Sequence, residues 1–169
     1  EYFRAELDHR IHPGRAPRGR ACHRAAAVHR GAGVGLGGKV LGDAVVGTAP
    51  TLRRRPTVPR GPPPPTVVGD GTIISTGAVL FAGSTIGARV ILCDQSCVRE
   101  RVRVGDDVVL GRGSLIENDT SVGARTKIQA GAYITAYSEL EEDVFIAPCV
   151  VTTNDNFMGR TEKRRALMK

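Results

Sequence analysis

The chain has 169 residues, 24 Lys/Arg against 17 Asp/Glu for a formal net charge of +7, and 4% aromatic residues beside 21 glycines and 10 prolines. That length holds one domain, no apolar run approaches the roughly 20 residues of a membrane span, and no secretory signal is visible. The basicity is local: residues 1–66 carry +8 and residues 67–169 carry −1.

Residues 1–27 read as an irregular N-terminal segment. From Pro13 to Gly33 the excess of Arg, Ala, Gly and His offers no buried face, and it also fits a frame-shifted reading of GC-rich coding sequence. Val28, Val34, Val40 and Val46 then recur every six residues, with Ala32, Gly38 and Ala44 as small fifth residues. Residues 28–50 therefore read as weak hexads. Residues 51–66 break the count, because Val46 to Val68 is 22 residues, no multiple of six. Pro59 and Pro62 to Pro65 cannot donate to a strand ladder. This is expected to be a Pro/Arg-rich external loop with polyproline character. Arg53, Arg54 and Arg55 make it either a substrate or partner arm or a solvated loop.

From Val68 to Val151 fourteen hexads run without an insertion, each opening on Val, Ile or Leu and each with a small or β-branched fifth residue. A helix needs apolar spacing near 3.6 and an ordinary strand alternates at two. A strict six is the pattern of a hexapeptide parallel β-helix. Gly69, Gly87, Gly105 and Gly123 lie eighteen apart, so one coil has three strands and three corners. One corner repeatedly uses glycine, as expected where a tight turn demands positive φ. The first and fifth residues should line a narrow core, with Val68, Ile86, Val104, Val122 and Leu140 in one internal column. The β-helix domain is expected over 67–157, followed by a charged tail over 158–169. An uncapped solenoid end is an exposed edge, so the chain reads as truncated before further coils.

Cys22, Cys93, Cys97 and Cys149 show no zinc spacing and read as unpaired thiols of a reducing cytoplasm. A cysteine nucleophile wants a nearby histidine, and His9, His12, His23 and His29 all precede the unbroken repeat. Columns eighteen apart make the third corner the most chemically dressed edge. One column is Ala82, Glu100, Asn118, Ala136 and Asn154; the next is Gly83, Arg101, Asp119, Tyr137 and Asp155. Asn and Asp also simply suit corners, and Arg101 can simply pair with Asp119.

The hexads resemble the left-handed parallel β-helix of the hexapeptide-repeat acyltransferases, and Ile11-His12-Pro13 resembles a phrase on which such chains open. The handedness is implied by the resemblance alone, since left-handed crossovers break the usual rule. Within the superfamily, KIQAGAYITAYSELEEDVFIAPCVVTTND (Lys127 to Asp155) is similar to bacterial nucleotide-sugar N-acetyltransferases. The resemblance implies an all-β, left-handed parallel β-helix that transfers an acetyl group from acetyl-CoA, without a metal, to an amino group on a nucleotide-linked sugar. It also implies a cytoplasmic homotrimer with acyl-CoA bound between neighbours.

The candidate site has Asp155 and Asp119 as catalytic carboxylates. Asn118, Gln129, Tyr137, Asn154 and Arg160 are its substrate-binding residues. Gln129 and Thr153-Asn154-Asp155 with Arg160 match the relatives' motifs; where those place an asparagine after the glutamine, this chain has Ala130 and Gly131. With no histidine in the repeat, a carboxylate acts as base, or the amine arrives deprotonated and the thioester sulfur takes the proton. The alternative is a non-catalytic trimeric β-helix scaffold, or an inactive fragment of such an enzyme. A carbonic anhydrase of this fold needs three zinc-binding histidines, which the repeat lacks. Nucleic acid is not expected as a partner, since the basic segment has no aromatic interleaving or recognised motif.

Overall fold

The computed structural model describes residues 3–4, 21–22, 26–29, 31–51 and 62–154. The readings placed on Ile11 to Gly14, Arg53 to Arg55, Asp155, Arg160 and the tail lie outside the described residues.

Each hexad puts two or three residues into a strand and the rest into a turn, except that the strand Val45–Thr48 has four. Successive strands fall on three different sheets, and every third strand pairs with its predecessor in parallel. The first sheet runs Phe3–Arg4, Ala32–Val34, Thr66–Val68, Thr85–Ile86, Arg103–Val104, Ser121–Val122 and Glu139–Leu140, antiparallel only at its first pair. The second runs Ala21–Cys22, Lys39–Val40, Ile73–Ile74, Ile91–Leu92, Val109–Leu110, Lys127–Ile128 and Phe145–Ile146. The third runs Ala27–Val28, Val45–Thr48, Val79–Phe81, Cys97–Val98, Leu115–Ile116 and Tyr133–Ile134. The whole is a left-handed parallel β-helix.

The core follows the hexad count. Val68, Ile86, Val104 and Val122 are buried and stand in register with one another and with Leu140, which is partly buried in the last described coil. Thr72, Ser84, Thr120 and Thr126 are buried among the aliphatics because each hydroxyl has a main-chain partner. Thr72 Oγ1 donates to the Gly87 carbonyl at 2.8 Å and accepts from the Val90 N–H at 3.1 Å.

The corners correct one expectation. Gly69, Gly87, Gly105 and Gly123 do not adopt positive φ. They are glycines because neighbouring coils touch there: a Cβ at Gly69 would lie 2.5 Å from the Gly87 carbonyl carbon, and one at Gly123 would lie 2.5 Å from that of Glu141. Positive φ falls two residues later, at the fourth place of each hexad. Arg89, Gln95, Arg101, Asp107, Asp119, Arg125, Tyr137, Asp143 and Cys149 hold it there without being glycine, with φ between 56° and 64°.

The proline segment returns to the solenoid at the third corner, between the strand Val45–Thr48 of the third sheet and the strand Thr66–Val68 of the first. Its end lies over Gly83, whose φ is 84° and where a Cβ would meet Pro64 Cδ at 3.0 Å.

Candidate functional site at the third corner

The third corner joins strands of the third sheet to strands of the first, and stacking brings its residues from successive coils together. The Asp119 N–H bonds the Glu100 carbonyl and the Tyr137 N–H bonds the Asn118 carbonyl, each at 3.2 Å. The φ of 58° to 64° at Arg101, Asp119 and Tyr137 points these side chains off the same edge.

Arg101 grips Asp119 with two parallel bonds, Nε to Oδ1 and Nη2 to Oδ2, both 2.7 Å. Asn118 Nδ2 adds a third bond, to Asp119 Oδ2, at 2.7 Å. The hydrogen bond that Arg101 donates to Asp119 is the main reason that its guanidinium sits above its ordinary pKa. A carboxylate held this way is fixed in orientation. Asn154 donates from Nδ2 to the Ala136 carbonyl at 2.7 Å, closing a coil turn with its side chain. Its Oδ1 and second amide proton have no hydrogen-bond partner among the described residues.

Asn118, Asp119, Tyr137 and Asn154 are thus brought to one edge. Gln129 is not among them: it follows the strand Lys127–Ile128 and sits at the second corner. Asp155 would directly follow Asn154 and, like Arg160, lies outside the described residues.

Beside this edge lies a charged cluster that the column reading passed over. Glu100 is only 2% exposed, and Arg99 Nε donates to its Oε2 at 3.0 Å. Arg99 also lies 4.9 Å from the Phe81 ring centroid and 3.8 Å from Glu117. Burial works against its charge, but Glu100 and Glu117 outweigh that and raise its pKa. Tyr133 donates to Glu117 Oε1 at 2.9 Å, and its phenol pKa is raised by burial first and by that bond second. Glu100 was legible as a member of the Ala82–Asn154 column, but its burial was not. The sign that marked it was the Arg99-Glu100-Arg101 triplet, an acid with a guanidinium on each side.

On the first-sheet side of the corner runs an open groove of about 470 Å³. Pro64 and Pro65 form one end, and Arg101, Arg103, Asp119, Ser121 and Glu139 lie along it. Arg103 and Glu139 occupy sixth places of their hexads, just before a buried aliphatic, and both are exposed. Among the described residues no three of His, Cys, Asp and Glu converge as a metal would require. No helix there is long and apolar enough to cross a membrane.

Fold and corner together define a hexapeptide-repeat left-handed β-helix protein whose third corner carries a partly buried polar cluster. Among solved structures the chain is similar to LpxA, a UDP-N-acetylglucosamine acyltransferase from Bacteroides fragilis 9343. The TM-score is 0.74 at 16% identity, over 80% of this chain and 54% of that one. It is also similar to the acetyltransferase domain of PglB from Neisseria gonorrhoeae FA1090. There the TM-score is 0.50 at 20% identity, over 79% of this chain and 51% of that one. The chain spans about half the length of these structures. The likeness is one of fold. No protein-family model matches the chain, and no curated protein matches its sequence.

Proposed function

We propose that the chain is an acyl-CoA-dependent acyltransferase that acetylates an amino group on a nucleotide-linked sugar in the cytoplasm. The observation that carries this reading is the third corner, where Asn118, Asp119, Tyr137 and Asn154 meet on a solenoid whose other corners are mostly Gly, Ala and exposed ion pairs. The fold shared with LpxA, which acts on a nucleotide sugar, and with an acetyltransferase domain supports it.

The chemistry asks little of the protein. An acyl thioester is already activated, so alignment of amine and carbonyl supplies much of the acceleration. The amine nitrogen bonds to the thioester carbonyl carbon, the C–S bond breaks, and coenzyme A leaves as thiolate. The proton lost by nitrogen passes to that sulfur, directly or through a carboxylate. Asp119, with both oxygens on Arg101 and one also on Asn118, is the fixed carboxylate of this edge and the second of the two proposed catalytic carboxylates. The relay role falls to Asp155, next to Asn154. Asn118, Asn154 and Tyr137 offer donors and acceptors to sugar hydroxyls, and Arg160 completes the proposed contacts, while Gln129 stands apart at the second corner.

A second reading, the non-catalytic scaffold, is favoured by one observation: the corner's polar groups largely satisfy one another, Asp119 through Arg101 and Asn154 through Ala136. Release of free thiol from acetyl-CoA in the presence of a UDP-linked amino sugar separates the two. The transferase reading expects thiol release that Asp155→Asn slows at least about tenfold, a loss of one charge-assisted contact in the transition state. Asp106→Asn, at the exposed first corner, leaves the rate unchanged. No acetyl-CoA binding and no thiol release, or equal rates for the two variants, would sink it.

A further inference from the structure

We infer that the groove beside the third corner is a bipolar acceptor site, with Arg103 holding a phosphate of the ligand and Glu139 receiving its ammonium. This deepens the acyl-transfer reading and rests on it for the choice of a nucleotide amino sugar as occupant.

Two of the groove's four charged side chains are already paired with each other. Of the groove's two guanidiniums, Arg101 is tied to Asp119 through two bonds of 2.7 Å. Those two charges cancel within the wall. Arg103 makes no ion pair among the described residues, although the other arginines of the repeat from Arg89 to Arg125, Arg112 aside, all do. Arg112 bonds Gln95 instead. Glu139 likewise has no salt-bridge partner among the described residues. Among the described residues, one cation and one anion of this groove therefore remain without an ion-pair partner.

Their places are fixed by strand register. Thr85, Arg103, Ser121 and Glu139 are successive rungs of the first sheet. Arg103 thus has a hydroxyl residue on each side, and Glu139 stands two rungs away, roughly 10 Å at the usual strand spacing. No ion pair joins the two among the described residues, and the gap between them is suited to a ligand. A guanidinium flanked by hydroxyls is a phosphate-binding set. A carboxylate at the far end repels a purely anionic ligand and favours one with an ammonium there. Pro64 and Pro65 supply a rigid apolar end wall against which a sugar or base face can rest. A nucleoside diphosphate linked to an amino sugar carries both charges in that order. Coenzyme A carries only the anionic one.

Isothermal titration of the whole chain with UDP-glucosamine, UDP-glucose, UDP and coenzyme A tests the assignment without any need for turnover. UDP-glucosamine should bind about tenfold tighter than UDP-glucose, the size of one good charged contact. Arg103→Gln should weaken both sugar nucleotides and UDP about tenfold, with Arg103→Lys intermediate and coenzyme A little changed. Glu139→Gln should abolish the preference for the amine while leaving UDP-glucose as tight or tighter. Arg112→Gln, outside the groove, should leave all four ligands as they were. Binding of UDP-glucosamine through Arg103 without thiol release from acetyl-CoA overturns the transferase reading and supports this one. The assignment is overturned if both Arg103 variants bind the nucleotides like the parent, if amine and hydroxyl sugars are indistinguishable, or if coenzyme A is the ligand that Arg103→Gln loses.

Discussion

Ser96 and Thr72 hold the same fifth place in their hexads, both buried, yet only one is satisfied. Thr72 Oγ1 serves a carbonyl and an N–H of the next coil, whereas Ser96 Oγ is a buried side-chain oxygen with no hydrogen-bond partner among the described residues. Removing a satisfied hydroxyl strands two main-chain groups, at a cost of about 1–3 kcal/mol; removing an unsatisfied one relieves a burial penalty. Urea unfolding should therefore show Thr72→Val losing stability in that range and Ser96→Ala neutral or more stable. Equal losses for both would mean that the fifth place is governed by volume alone. The hexad count made the fifth place legible as small or β-branched. It did not show the hydroxyl bonds, because they run to a residue fifteen positions away and depend on how the corner closes.

Within a coil the corner is the element that sequence reading explained least well. The glycine column was visible at eighteen, but its cause is the close stacking of coils and not φ, and the positive φ falls on residues such as Arg89, Gln95 and Tyr137 that do not advertise it. Gly83 and Gly113 both have positive φ, at 84° and 65°, but a Cβ at Gly113 meets nothing within 4 Å and one at Gly83 meets Pro64. Asparagine tolerates the left-handed region, so Gly113→Asn should leave the thermal midpoint nearly unchanged while Gly83→Asn lowers it by several degrees through the proline contact. Similar midpoints would remove Pro64 from the corner. The first corner carries the ladder Arg89, Asp107, Arg125, Asp143, with Asp106 and Glu142 beside it; Arg89 bonds Asp107 at 2.7 Å and Arg125 bonds Asp143 at 2.8 Å. Hydrogen bonds from those arginines hold Asp107 and Asp143 below the usual carboxylate range. A lowered value stabilises the fold above the ordinary carboxylate pKa of about 4, and that stabilisation fades as pH falls through the lowered one. These pairs are exposed, so salt screens them. The thermal midpoint should stay level from neutral pH to about 5 and fall below 4, with a smaller drop in 1 M salt; a drop of the same size at both salt levels would assign the acid loss to other groups.

At the scale of the molecule, the three outer faces differ in kind. The first sheet turns Thr85, Arg103, Ser121 and Glu139 outward. The third turns out Val79, Cys97, Leu115 and Tyr133, and the second Ile73, Ile91 and Val109 ahead of Lys127 and Phe145, with Ile91 37% and Phe145 63% exposed. Two unlike apolar faces on one subunit fit a heterologous contact, in which each copy offers one face and accepts the other, and such a contact makes a ring where the rotation between copies closes and a filament where it does not. The like-on-like contact of a twofold dimer would leave one apolar face uncovered. We therefore propose a homotrimer, the closed ring that the resemblance implies, with the polar first sheet and its groove left open to ligands. Light scattering at concentrations well above micromolar should give three times the chain mass. Leu115→Lys on the third sheet and Val109→Lys on the second should each shift that mass toward the monomer, since a charge in either half of a heterologous contact is desolvated against apolar surface. Arg103→Gln, on the polar face, should not shift it. A monomer for the parent chain, or a dimer dispersed by Leu115→Lys but indifferent to Val109→Lys, would rule the ring out.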